Sequence, residues 1–292
     1  MKKITFVMLF ITLILFLGIG AFSNPTVADT VNNGNTERDI YLNIITSNKP
    51  QYEMVKAIVG DKHNVEYMFK DEKGSKEFLF NDETVINISN MDLFLYSGND
   101  LEPWSSSLID KLEKSNLGII NVSRGIRPIS MQLDTETKDN PYYTVGLEEY
   151  KIALYNVKAA VQDKDPKNRD LYEENYNKSI EILDKTLEEI KRNKKALEGY
   201  QFIALDDKLD YFYRGIGITP IKVGDKTISD VITQNKLDSN KVIVLKDNGT
   251  IITEEGYKVI NLTSYDGNVS IEELILKNHK ALYDIIEIKD NK

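Results

Sequence analysis

From Asp39 onward, short strand-like and helix-like runs of apolar and polar residues alternate along the chain. The run 40–46 is rich in β-branched and aromatic residues, 50–59 carries apolar residues at helical spacing and stops at Gly60, and 65–69 returns to strand character. Strand, helix, strand is one βαβ unit. The alternation continues with a helix over 83–89, a strand over 92–96, a helix over 103–114 and a strand over 118–122. Such a pattern favours a mostly parallel sheet with helices on both faces.

The middle of the chain changes rhythm. After a helix over 147–161, Asp165 is placed to cap and Pro166 to open a second helix, since proline lacks only an amide hydrogen that the first turn leaves unpaired. Its apolar positions Tyr172, Tyr176, Ile180, Leu183, Leu187 and Ile190 form one stripe that ends before Gly199. Roughly thirty residues at ~1.5 Å each make a rod on the order of 45 Å, long enough to bridge two domains. Beyond Gly199 strands are expected over 202–205, 220–223, 242–245 and 258–262, with helices over 207–214, 228–235 and from 271 to about 286. Between the last two strands lie only about twelve residues, too few for a crossover helix with its turns. Asp247, Asn248 and Gly249 read there as a turn, which suggests a hairpin-like excursion. The expected fold is thus α/β: two (β/α) lobes with mostly parallel sheets joined by a long backbone α-helix.

The N-terminal segment stands apart. Lys2 and Lys3 precede an apolar run over 4–22, the layout of an export signal, although about nineteen residues also suffice to span a bilayer as an anchor. The expected organisation is a signal peptide or N-terminal anchor over 1–28, a flexible tether over 29–38, an N-terminal lobe over 39–165, a linking helix over 166–198 and a C-terminal lobe over 199–292. The protein is expected outside the cytoplasm, either membrane-associated through its N-terminal segment or secreted.

Composition narrows the chemistry. The 292 residues include no Cys and 2 His, which closes thiol catalysis, zinc fingers, iron–sulfur clusters and disulfide frameworks. With 37 Lys and Arg against 46 Asp and Glu, the formal charge is −9, and no basic run interleaved with aromatics offers a nucleic-acid footprint. No G-x-S-x-G elbow or G-x-x-x-x-G-K-[ST] loop occurs, so the chain is not expected to be an enzyme. His63 and His279 read as surface or packing residues, and Trp104 as a packing residue at a helix start.

Three phrases carry a resemblance: "IVGDKHNVEY" from Ile58, "MDLFLYSGNDLEPW" over 91–104 and "DKDPKNRDLYEENY" over 163–176. Their order resembles the solute-binding proteins of zinc and manganese ABC transporters, the helical-backbone metal receptors. The resemblance implies a cleft between two lobes that holds a metal ion, typically on three His and one carboxylate. Counted from the matching phrases, those four positions fall on Lys76, Tyr142, Asp206 and Thr263, with Asp247 or Asp266 as possible substitute ligands. A protonated Lys and a neutral phenol are poor ligands for a borderline ion. One expectation is that Lys76 and Asp206 pair across the cleft beside Tyr142, in place of a metal. Another is that Tyr142, Tyr143, Tyr211 and Tyr213 lie near the cleft, as core packing or as the lining of a site for a non-metal solute.

The resemblance implies an extracytoplasmic solute-binding protein of an ABC transporter, with an altered or lost metal site, a membrane permease as partner, no nucleic acid, and a monomeric state. No resident cofactor is expected; Zn or Mn would be cargo. The alternative is a surface adhesin or partner-binding module that keeps the scaffold without binding metal.

Overall fold

The computed structural model describes residues 39–133, 136–265 and 267–290. The expected signal or anchor over 1–28, the tether over 29–38 and the candidate ligand Asp266 lie outside the described residues.

Strand β1 (Asn43–Asn48) runs parallel to β2 (Asn64–Phe69) on one side and β3 (Leu93–Tyr96) on the other, with β4 (Gly118–Asn121) beyond β3. Helix α1 (Lys49–Val59) joins β1 to β2; the Asn48 side chain caps its start and Gly60, at φ +57, ends it. Short helices α2 (Glu72–Lys76) and α3 (Asp82–Ser89) precede β3, and α4 (Ser105–Ile109) precedes β4. The strand order reverses beside β1, so the loops leaving β1 and β3 diverge and open a crevice at their carboxyl ends.

An antiparallel hairpin of β5 (Ser130–Leu133) and β6 (Glu136–Asp139) follows. Then come helices α5 (Leu147–Lys164) and α6 (Arg169–Asn193). The second lobe repeats the first with a parallel sheet of order β10–β9–β7–β8. It is made of β7 (Gln201–Ala204), α7 (Asp210–Ile216), β8 (Ile221–Lys222), α8 (Ile228–Asn235), β9 (Val242–Asp247), β10 (Lys258–Leu262) and α9 (Ile271–Asp290). Its reversal lies between β7 and β9, again opening a crevice at the carboxyl ends.

Helix α6 packs against α1 of the first lobe, against α5, and against α9 of the second. Its stripe buries Tyr172, Leu183 and Ile190 in one continuous core that includes Met54, Ile58, Leu154 and Ile275. At 25 residues it is about 38 Å long. It falls short of the expected thirty because 3₁₀ turns over Pro166–Asn168 and Lys194–Leu197 take up its ends.

Two expectations are corrected. The helix over 103–114 contracts to α4, because three weak helix formers, Ser105, Ser106 and Ser107, start it, and the chain must turn to bury Leu112 beside Trp104 and Leu108. The excursion after β9 is no hairpin: β9 and β10 are parallel, with Lys258 opposite Ile243. The turn at Asn248 and Gly249 does form, with the Thr250 amide donating to the Asp247 carbonyl at 2.9 Å. The rest is an irregular strap that does the covering work of a crossover helix. Ile252 and Tyr257 pack against the cluster of Ile203, Val231 and Val244, and Glu254 takes the Ile228 and Ser229 amides at 2.7 and 3.2 Å.

Candidate functional site

The first wall of the interlobe crevice is built on a buried carboxylate. Glu102, from the phrase "SGNDLEPW", is 1% exposed. One of its oxygens accepts the Ser97 and Gly98 amides at 2.7 and 2.8 Å; the other accepts from the Gln51 and Asn48 side-chain amides, both at 3.1 Å, and from the Ser47 hydroxyl. Burial pushes its pKa up, and these hydrogen bonds oppose the rise. Ser97 extends the network, its hydroxyl accepting from Gln51 Nε2 at 2.6 Å and sharing a 2.8 Å hydrogen bond with the Tyr143 hydroxyl. The ends of β1 and β3 are thereby tied to the crossover segment at Tyr143.

Between the lobes the central acceptor is Glu72, at the start of α2. The Tyr142 hydroxyl donates to its Oε2 at 2.9 Å. Lys76 Nζ lies 4.0 Å from the same carboxylate one helical turn away, and Lys208 Nζ reaches it from the second lobe, also at 4.0 Å. The Lys208 ammonium also stands 5.3 Å over the Tyr142 ring. The phenol is driven well above its ordinary pKa by burial first, then by the charge of Glu72 and the hydrogen bond to it, with Asp247 and Asp206 adding to the effect. It is therefore a neutral donor at physiological pH.

The second wall uses its aspartates as backbone acceptors. Asp206 takes the Asp247 amide at 2.9 Å, the Thr250 hydroxyl at 2.8 Å and the Lys208 amide at 3.1 Å. Asp247, itself buried, takes the Ser264 amide at 2.7 Å and the Gly249 amide at 3.3 Å. Thr263 is held by Asn278, which accepts its amide at 2.9 Å, and by Asn248, which donates to its hydroxyl at 2.6 Å. Lys222 closes this wall with an ion pair to Asp207 at 2.9 Å and another to Asp210.

A second set of contacts crosses between the lobes on another side. Lys49 Nζ donates to the Gly267 carbonyl at 2.9 Å, and the Tyr265 hydroxyl donates to Glu53 Oε1 at 2.6 Å. A cavity of about 490 Å³ lies here, lined by Asn48, Phe69, Leu101 and Ser97 from the first lobe, Tyr142 and Tyr143 from the crossover, and Tyr265 from the second lobe.

Of the residues singled out from sequence, Lys76 and Tyr142 share Glu72, and Asp206 and Asp247 are hydrogen-bonded neighbours whose charges reach Tyr142. Thr263 faces Asn248 and Asn278 within its own lobe. The expected Lys76–Asp206 pair is replaced. Lys76 has a carboxylate four residues back on its own helix, which costs little ordering, and the Asp206 oxygens are already taken by two amides and a hydroxyl. Tyr143 and Tyr211 are buried hydrogen-bonding residues, and the buried Tyr213 hydroxyl has no hydrogen-bond partner among the described residues. Among the described residues, no group of three or more His, Asp or Glu is disposed to hold a metal ion.

Sequence reasoning missed Glu72, Lys208, Lys49 and Tyr265. The local signals for Glu72 and Lys208 are the charged phrases "FKDEKGSK" over 69–76 and "DDK" over 206–208, which look like solvated loops until the lobes are brought together; Lys49 and Tyr265 have no such signal.

Residues 44–266 match the family described as ZnuA, zinc-uptake complex component A, periplasmic. The chain is 27% identical over 227 residues to the metal ABC transporter substrate-binding lipoprotein ScbA of Streptococcus cristatus, covering 75% of this chain and 70% of that protein. It is 26% identical over 251 residues to the iron ABC transporter substrate-binding lipoprotein MtsA of Streptococcus pyogenes serotype M1, covering 80% and 79%. The fold is shared with a mutant of the laminin-binding adhesin Lmb from Streptococcus agalactiae, at TM-score 0.68 and 19% identity over 84% of this chain and 99% of that one. It is shared too with the metal-dependent lipoprotein YcdH from Bacillus subtilis, at TM-score 0.68 and 18% identity over 83% and 98%.

Proposed function

The chain belongs to the zinc-uptake component A family of metal ABC transporter substrate-binding proteins, and from that premise we propose that it is a monomeric extracytoplasmic solute receptor whose metal site is altered. In this reading it captures a solute in the interlobe cleft and presents it to a membrane permease; it carries out no chemistry. Lys76, Tyr142, Asp206 and Thr263 occupy the positions of the family's ligands, with Asp247 beside them.

One observation carries the reading. The carboxylate between the lobes, Glu72, is bound by a neutral phenol and flanked by two ammonium groups, Lys76 and Lys208. A divalent ion arriving there would meet two like charges and a protonated phenol, while the nearby aspartates are committed to backbone amides. Relatives named for iron and manganese show that cargo varies within the family.

The relatives are named lipoproteins, and a thioether-linked lipid needs a cysteine that these 292 residues lack. No helix among the described residues is long and apolar enough to cross a membrane. Retention by the apolar run over 4–22, or release, fits both facts.

Metal content of the purified protein, with thermal shifts against Zn(II), Mn(II) and Fe(II), tests the altered site. The expected result is no retained metal and no saturable rise in melting temperature, since only selective binding to the folded state raises it. Stoichiometric uptake of any one of the three would overturn it. The second reading, a scaffold serving as an adhesin or partner-binding module, draws on the same lack of a ligand cluster among the described residues. It is separated from the first by whether a permease binds the protein.

A further inference from the structure

We propose that the cavity of about 490 Å³ between the lobes is a binding site for a small organic anion with an apolar body, such as an aryl or alkyl carboxylate; this rests on the altered-site reading and gives it a ligand class.

Size is the first argument. A four-coordinate metal ion sits about 2.0–2.3 Å from its ligands and leaves no such space, whereas cavities of about 300–1,000 Å³ are usual for small organic molecules. The second is the character of the wall. Pro50, Phe69, Leu101 and Pro141 offer apolar surface, and the Ser97–Tyr143 pair and Asn48 give it a polar margin.

Charge is the third. The lining carries Lys49, Lys70 and Lys73 against Asp71 and Glu72, a cationic excess on a chain of formal charge −9. The two carboxylates are engaged within the protein, Asp71 by the Gly74 amide at 2.8 Å and Glu72 by Tyr142. Lys49 is held by the Gly267 carbonyl and by an ion pair with Glu53 at 3.8 Å, so its charge is already matched. The side chains of Lys70 and Lys73, both exposed residues of the lining, make no hydrogen bond or ion pair to any described residue, so their charges are left for a ligand to meet. A carboxylate in the cavity can draw charge-assisted donors from these lysines, while its apolar body meets Phe69 and Leu101.

Contacts between the lobes border the cavity as well. Tyr142 to Glu72 borders the cavity on one side, and Lys49 to Gly267 with Tyr265 on another, so contacts between the lobes shape a space that is partly open to solvent. The same ligand chemistry could arrive as a free acid or as a metal chelate, and the two are separable.

Isothermal titration of the full chain, in buffer with EDTA, should show saturable one-site binding of phenylacetate. Phenethylamine, the same body with the opposite charge, should bind at least about tenfold more weakly, and the double variant K70A/K73A should lose about tenfold in phenylacetate affinity. Both lysines are exposed, so the unliganded melting temperature of that variant should match the wild type. The inference is overturned if phenylacetate fails to bind, if the amine binds as well, or if the double variant is unaffected. It is also overturned if citrate with Mn(II) binds and neither free acid does, since the ligand is then a chelate. Tight uptake of Mn(II) alone would sink the altered-site reading as well; absence of both metal and carboxylate binding would sink only the organic-anion assignment.

Discussion

Both histidines of this chain are buried. His63 accepts the Leu42 amide on Nδ1 at 3.3 Å and shares a 2.6 Å hydrogen bond through Nε2 with Tyr172, whose hydroxyl donates to Asp165 at 2.5 Å. The imidazole must be neutral to fill those roles, and burial, its largest influence, lowers its pKa against the opposing charge of Asp165. His279 is 4% exposed, lies 4.8 Å from the Phe212 ring, and has a buried Nδ1 with no hydrogen-bond partner among the described residues. Burial alone pulls its pKa down to about 3. The unfolded chain therefore binds protons that the folded chain refuses, and stability falls as pH drops below the ordinary histidine value of about 6.5. Between pH 7 and pH 5 the His279 contribution to that loss is about 2 kcal/mol. Denaturant titrations at the two pH values should show H279F losing less stability than wild type by about that amount; equal losses would mean that the imidazole finds room for its proton. As sequence, each histidine looks equally at home on the surface, because burial by distant elements leaves no local mark.

At the scale of elements, the stripe of α6 is the most legible feature of the chain. Tyr172, Leu183 and Ile190 are buried as their spacing requires, and Tyr176, Ile180 and Leu187 pack partly against the same core. Leu183 is fully buried where α6 serves both lobes, so L183A should cost about 2–5 kcal/mol in urea denaturation, far more than a solvent-facing substitution on the same helix. A loss below about 1 kcal/mol would show that the rod contributes little to the core. The strap over 248–257 is less legible. Its turn residues are visible in the sequence, but whether the chain then doubles back or crosses over depends on whether β10 finds β9 antiparallel or parallel. That choice is made by Ile252, Tyr257 and Glu254 covering α8.

For the whole molecule, the contact that matters is the approach of Glu72, Tyr142 and Lys208 from three segments far apart in sequence. Removing the phenol hydroxyl in Y142F should cost about 0.5–1.5 kcal/mol, the net contribution of its hydrogen bond to Glu72, because that carboxylate is partly exposed and water can take the donor's place. A double-mutant cycle with E72Q should return a coupling of at least about 0.5 kcal/mol, and amide exchange should quicken in segments facing the cleft. Additive effects would mean that the lobes are held elsewhere, with Lys49 to Gly267 and Tyr265 to Glu53 the other contacts between them.

Period and punctuation in the sequence suffice for the two parallel lobes and the long helix, because helical and strand periodicities and their stops are local properties of the chain. The count of two His is likewise legible in the sequence, and it motivates the altered site proposed above. What the tertiary structure alone decides is which charges meet. The lobes bring residue 72 against 142 and 208, 49 against 267, and 53 against 265, contacts set by how two crevices at opposing sheet ends close on one another. Lys76 and Asp206 sit near the same cleft yet pair with other groups, because hydrogen bonding is decided within a few ångströms, a distance over which sequence position carries no information.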